Sequence, residues 1–203
     1  MITRVVLLRH GRTAWNAEQR MQGRLDPPLD GTGEAQARAV APLVAGFDPT
    51  VLICSDQARA LQTALVVGEA TGLEPRKEPR LREIDVGQWQ GLVHSEVEAG
   101  WPGALERWHV EPTFRSPGGE SRVDAAERAL PVLRELVGTR APGTTGDTAV
   151  LVAHGAVIQA TTCDFLGWPV ENWPTLGSLG NCRWSVLELR VDRWRLVQWG
   201  AGA

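Results

Sequence analysis

Val5-Val6-Leu7-Leu8-Arg9-His10-Gly11-Arg12 is the stretch from which the fold can be read. Four consecutive apolar residues bounded by charge describe a short strand covered on both faces, as in the centre of a parallel sheet. The strand ends by presenting a guanidinium and an imidazole at its C-terminal tip, where open α/β sheets bind their ligands. Thr13, Trp15 and Asn16 come next, so hydrogen-bonding groups collect where the chain turns. Taken alone, Arg9-His10-Gly11 is short enough to recur by chance, and a lone histidine is more often structural than catalytic. The distant parts of the chain decide between the two.

Two further apolar runs, Val51–Cys54 and Thr148–Ala153, read as strands of the same kind. Helical patterns separate them. One spans Thr32–Gly46, where Pro42 predicts a kink or an early end. A second spans Gln57–Thr71, with Ser55 or Asp56 as N-cap, Ala58, Leu61, Leu65 and Gly68 on its inward face and Gly72 as C-cap. A third starts at the acidic capping box Ser121-Arg122-Val123-Asp124 and reaches Gly138, past an internal Pro131. A fourth extends from His154 to about Leu166. Trp184–Arg190 and Trp194–Trp199 read as a hairpin at a sheet edge, with Ser185, Leu187 and Leu189 on one side. The run 140–147, rich in Gly, Thr and Pro, reads as a loop. Alternating strands and helices without a repeat or linker predict a single domain over residues 1–203. Its expected architecture is a three-layer α/β/α sandwich with a mostly parallel central sheet and an antiparallel edge.

Composition narrows the function. A net charge of −3 gives no reason to expect nucleic acid or an anionic membrane surface as partner. No segment approaches the ~20 apolar residues of a membrane span, and the N-terminal stretch lacks the shape of a signal peptide, so the cytoplasm is the expected location. Cys54, Cys163 and Cys182 are too scattered for a disulfide framework or a zinc cluster. The nine Trp, with no Tyr, read as packing residues.

Three distant segments repeat the chemistry of the first. Arg59 falls in the first turn of the second helix, where free N–H groups and the positive end of the helix dipole favour an anion, although a capped surface helix would look the same. Glu83 and Asp85 sit in Leu81-Arg82-Glu83-Ile84-Asp85-Val86-Gly87-Gln88-Trp89-Gln90-Gly91; spacing does not choose between them. Val150–Ala153 is again an apolar strand ending in His154-Gly155.

Leu7–Asn16, the Ser55–Thr63 segment with its Arg59-Ala60-Leu61-Gln62-Thr63, the Leu-x-Glu…Gly-x-Trp-x-Gly run and His154-Gly155 together resemble, in order, the signatures of the histidine phosphatase superfamily, also called phosphoglycerate mutase-like. The resemblance implies that His10 accepts a phosphoryl group and that Arg9, Arg59 and His154 clamp it. It also implies that Glu83 is the general acid. Asn16, Thr13, Gln22, Gly23 and Gly155 become substrate-binding candidates. This residue set suits a phosphomonoester: forked guanidinium donors match phosphate oxygens, neighbouring arginines help keep His10 neutral, and Glu83 carries the proton for the leaving oxygen. Neither metal nor other cofactor is expected. His94 and His109 match no position of the family.

The interval between Glu83 and His154 is shorter than the resemblance implies for a mutase, and Pro117-Gly118-Gly119-Glu120-Ser121 resembles the phosphatase branch. Arg20–Asp26, Gly87–Leu92, Gly118–Asp124 and Asn172–Asn181 further resemble the actinobacterial glucosyl-3-phosphoglycerate phosphatases. The expected partner is therefore a small phosphomonoester such as glucosyl-3-phosphoglycerate. A broad-specificity or α-ribazole phosphatase, a phosphoglycerate mutase and a non-catalytic phospholigand-binding protein are the alternatives. The family admits a homodimer; no pattern in the chain bears on it. Arg12, Arg24, Arg115, Trp168 and Trp173 are left as residues that either reach substrate beyond the phosphate or simply pack.

Overall fold

The computed structural model describes residues 1–137 and 146–202. In chain order the elements are β1 (Ile2–Arg9), α1 (Ala14–Ala17), α2 (Gly31–Ala45), β2 (Pro49–Cys54), α3 (Ala58–Thr71) and β3 (Arg76–Lys77). They continue with α4 (His94–Gly100), α5 (Ala104–Val110), α6 (Arg122–Leu136), β4 (Asp147–Ala153), α7 (Gly155–Phe165), β5 (Trp184–Arg190) and β6 (Arg193–Ala201). The strands form one sheet in the order β3-β2-β4-β1-β5-β6. The first four are parallel to one another, and β5 and β6 are antiparallel to their neighbours.

This placement explains the continuous apolar runs. Along β1, Val5 and Leu7 join Ala149, Leu151 and Ile53 in a core packed under α6 and α7. Val6 and Leu8 point the other way, joining Leu52, Val150 and Val152 under α2 and α3. Alternate residues thus feed opposite cores, which gives three layers and requires apolar residues at every position. Val5, Val6 and Leu8 are fully buried, each contributing roughly 1.5–3 kcal/mol.

The structure corrects several expectations. Helix α2 runs through Pro42 to Ala45, because Pro42 and the residue whose carbonyl it frees, Arg38, both face solvent. The N-cap of α3 is Gln57, not Ser55 or Asp56; the Ser55 hydroxyl instead accepts the Gln57 N–H at 3.3 Å. The inward face of α3 carries Arg59, Ala60, Thr63, Ala64, Val67 and Gly68, and Leu65 is 49% exposed. An apolarity count misjudges this helix because its inward face carries polar working residues beside small alanines. Gly72 does close α3, in the left-handed region at φ 72°. Helix α6 begins on the Ser121–Asp124 capping box and ends at Leu136. The loop read at 140–147 and Gly138 lie, apart from 146 and 147, outside the described residues. Elements α4, α5 and the two-residue β3 carry no sequence pattern strong enough to be read. Among the described residues no helix is long and apolar enough to cross a membrane.

Candidate active site

Strands β1 and β4 end level with each other, Arg9 opposite Ala153. The next residue on each is a histidine, and the ring centroids of His10 and His154 lie 5.1 Å apart. Both rings are buried. Gly11 permits the turn after His10: a Cβ there would come 2.5 Å from the Gly33 carbonyl oxygen. That turn brings the Gly11 carbonyl to 2.7 Å from Nδ1 of His10. A carbonyl only accepts, so Nδ1 carries the ring hydrogen and Nε2 keeps its lone pair. Burial, then Arg59, then Arg9 hold the His10 pKa well below its usual 6.5. The ring is therefore neutral and its free nitrogen unprotonated. His154 is likewise pushed well below 6.5, by burial and then by Arg59, His10 and Arg9. Neither of its nitrogens has a protein partner among the described residues.

Two guanidiniums flank the histidines. Nη1 of Arg9 donates to the Leu179 carbonyl at 2.5 Å. Arg59 donates from Nη1 to the Leu25 carbonyl at 3.0 Å and from Nη2 to the Gly23 carbonyl at 3.1 Å. Each Nε is buried without a protein acceptor among the described residues. Burial lowers both pKa values, that of Arg59 to about 10, still above neutral pH. Their direct partners are carbonyls, and the carboxylate nearest Arg59, Asp26, is 3.7 Å away. Two buried cations so weakly compensated make an anion site. Gly23 aims its carbonyl at Arg59 from φ 52°, and a Cβ there would meet Gln90 and Val86 at 2.8 Å.

Glu83 faces these cations across the same pocket, a recess of about 140 Å³. Its carboxylate accepts the N–H groups of Ile84 at 3.0 Å and Val157 at 3.2 Å, so it rests on the N-terminal turn of α7. Its own N–H donates to Oε1 of Gln57 at 2.8 Å, and its carbonyl accepts from Arg128 at 3.1 Å. Glu120 holds Arg128 at 3.0 Å, takes the Asp85 N–H at 3.1 Å and pairs with Arg24 at 2.9 Å. The Gly-Gly-Glu-Ser segment thus buttresses the loop that carries Glu83. Asp85 uses its carboxylate on the Gly87 N–H at 2.8 Å and does not line the pocket, which separates the two acid candidates.

The pocket is lined by Arg9, His10, Asn16, Gln22, Gly23, Arg59 and Glu83 among the residues singled out from sequence. Asn16 spends its Oδ1 on the Thr13 N–H at 3.1 Å and on Asn181 at 3.3 Å, which leaves its NH2 end as donor. Thr13, Gly155 and the fully buried His154 do not line the pocket; His154 sits behind it, against His10. Thr13 is fully buried and its hydroxyl caps α1 by accepting the Asn16 N–H at 3.1 Å, so it acts on Asn16 rather than on a ligand. Gly155 lies beneath Arg9; a Cβ on it would sit 3.4 Å from the Arg9 Nε. Arg12 is tied to Asp30 at 2.9 Å and Arg115 to Asp124 at 2.6 Å, both away from the pocket. Trp168 and Trp173 belong to a small core against α7. Sequence reasoning missed Gln57, Trp108, Arg128 and the position of Asn181 beside Asn16. Among the described residues no three His, Cys, Asp or Glu side chains gather as a metal ion would need.

Residues 5–202 match the model of the histidine phosphatase superfamily, branch 1. The glucosyl-3-phosphoglycerate phosphatase of Mycolicibacterium vanbaalenii is 44% identical over 216 residues, spanning 100% of this chain and 96% of the relative. A solved structure of the mycobacterial glucosyl-3-phosphoglycerate phosphatase with VO3 shares 44% identity and a TM-score of 0.93, over 98% of this chain and 100% of that one. Another of that enzyme with inorganic phosphate gives a TM-score of 0.90 at 42% identity, over 98% of each chain. With the strand order, the histidine pair and the two buried arginines beside it, this chain belongs to the histidine phosphatase superfamily.

Proposed function

We propose that this protein hydrolyses phosphomonoesters through a phosphohistidine on His10, and that its substrate is glucosyl-3-phosphoglycerate. One observation carries the reading: the Gly11 carbonyl fixes the proton on Nδ1 of His10, beside two buried guanidiniums with free Nε donors. The relatives' substrate and the whole-chain identity of 44% support the choice of ester.

The chemistry balances with the residues present. The phosphate dianion sits against Arg9, Arg59, His154 and the amide of Asn16. Nε2 of His10 attacks phosphorus in line, and the bond from phosphorus to the ester oxygen breaks. That oxygen takes its proton from the Glu83 carboxyl, so it departs as an uncharged hydroxyl rather than an alkoxide. The Gly11 carbonyl stabilises the positive charge left on the phosphorylated ring. Water then attacks phosphorus, Glu83 accepts its proton, and the bond from nitrogen to phosphorus breaks to release inorganic phosphate and restore both groups. The arginines supply the charge neutralisation, the largest catalytic contribution in such sites, so turnover in EDTA should equal turnover without it.

The test is a panel of p-nitrophenyl phosphate, glucosyl-3-phosphoglycerate, 3-phosphoglycerate and α-ribazole phosphate, with acid-quench trapping of labelled enzyme. Wild type should release phosphate fastest from glucosyl-3-phosphoglycerate and carry an acid-labile label that His10→Ala lacks. Interconversion of 2- and 3-phosphoglycerate faster than hydrolysis would make the protein a mutase. Absence of turnover and label with every ester would make it a binding protein.

A further inference from the structure

The pocket that holds Glu83 is also lined by a side chain with no part in the phosphate clamp. Trp108, on α5, lines the pocket, and its indole N–H is buried without a protein acceptor among the described residues. The ring is held rigidly: the Arg122 guanidinium stacks 4.3 Å from its centroid, and His109 meets it edge-on at 5.2 Å. Arg122 also donates to the Trp108 carbonyl. Arg122 is itself unusual. It is only 8% exposed and, among the described residues, forms no ion pair, whereas its neighbours Arg115 and Arg128 each hold a carboxylate. Burial lowers its pKa, and the Glu83 carboxylate acts against that.

A buried N–H without an acceptor is costly, and so is a buried cation without an anion. Both costs fall if a ligand oxygen carrying negative charge meets the indole N–H. The phosphate end of the pocket is occupied by Arg9, Arg59 and His10. Trp108 instead lines the pocket from α5, and Arg122, the cation stacked on it, is within reach of the Glu83 charge; with Glu83 as the group that protonates the leaving oxygen, an oxygen reaching Trp108 belongs to the leaving group.

We propose that Trp108, stiffened by Arg122, is a specificity-determining contact that selects phosphomonoesters whose leaving group bears a carboxylate. The stacked cation increases the polarity of the indole N–H and adds a positive field where the carboxylate arrives. This deepens the phosphatase reading and rests on it.

The test compares 3-phosphoglycerate with glycerol 3-phosphate, which replaces the carboxylate by a hydroxymethyl group. Trp108→Phe keeps the stacked ring and loses the N–H. It should lower the ratio of the two kcat/KM values about tenfold, the scale of one hydrogen bond. Arg122→Met should move the ratio in the same direction, and the inhibition constant of glycerate should rise in both variants while that of inorganic phosphate stays within about twofold. A ratio unchanged within about twofold in both folded variants overturns the assignment. Wild type that turns over neither ester, yet is inhibited by neither glycerate nor phosphate, would instead sink the phosphatase reading beneath it.

Discussion

The two strand tips look like copies and behave differently. β1 and β4 are parallel neighbours, both ending in His-Gly, and their imidazoles lie 5.1 Å apart. After His10 the chain turns, and the Gly11 carbonyl reaches back to Nδ1 at 2.7 Å. After His154 helix α7 begins at once; the His154 carbonyl accepts the Ile158 N–H at 2.9 Å, and neither ring nitrogen has a partner among the described residues. The backbone on the C-terminal side of each histidine therefore sets its chemistry. A ring pinned in one tautomer keeps its lone pair on a fixed nitrogen, as the proposed attack by His10 requires. A ring with both nitrogens free can present whichever proton a phosphate oxygen requires.

The largest effect should come from breaking that asymmetry at its source. His10→Ala should lower kcat by at least about 10⁴-fold and abolish the phosphoenzyme, because no other group can take its place. In the proposed mechanism His154→Ala removes one donor to the transferring group, so it should cost about 10²–10³-fold, with labelled enzyme still trapped in a single turnover. Label on the His10→Ala protein and none on His154→Ala would exchange the two roles.

The rings should behave alike in one respect. Each is buried and neutral, with its pKa pushed well below the usual 6.5, whereas in the unfolded chain each titrates near 6.5. Below that pH the unfolded state binds protons that the folded state refuses, so stability is full above about pH 6.5 and falls as the solution is acidified. The limiting slope is about 1.4 kcal/mol per pH unit for each ring. Thermal melts from neutral pH down to about pH 5 should show a falling Tm, and the fall should be shallower in His10→Ala and in His154→Ala. Equal slopes in all three proteins would mean that other groups govern acid unfolding.

Much of this site is legible because its parts sit where sequence patterns are strongest. A strand buried on both faces must be apolar throughout, so Val5–Leu8 and Val150–Ala153 announce themselves, and the polar residue that ends each run is conspicuous. The parallel pairing that brings His10 beside His154 is implied by the same runs. The inward face of α3 misleads for the opposite reason: Arg59 and Thr63 occupy positions that an apolarity pattern assigns to solvent. Thr13 reads as a ligand contact because an N-cap and a binding hydroxyl look the same in a sequence. The support around Glu83 carries no signal, since Glu120, Arg128 and Gln57 act through backbone groups of residues that only the fold brings near.

Gln57 offers the finest test, because it joins the two halves of the comparison. Glu83 rests on the N-terminal turn of α7, the helix that begins directly after His154. Through Gln57 it is also tied to the clamp around His10: Oε1 accepts the Glu83 N–H at 2.8 Å, and Nε2 donates to the Gly23 carbonyl at 3.1 Å, the same carbonyl that accepts Arg59. Gln57→Leu nearly keeps the volume and loses both bonds. It should leave His10 able to attack while letting the acid drift, so kcat should fall about tenfold for an alkyl phosphate and less for p-nitrophenyl phosphate, whose leaving group needs little protonation. Gln57→Glu retains the acceptor for Glu83 and should recover part of the loss on the alkyl ester. A uniform loss on both esters, unrelieved in Gln57→Glu, would show that Gln57 only packs, and that Glu83 takes its position from α7 alone.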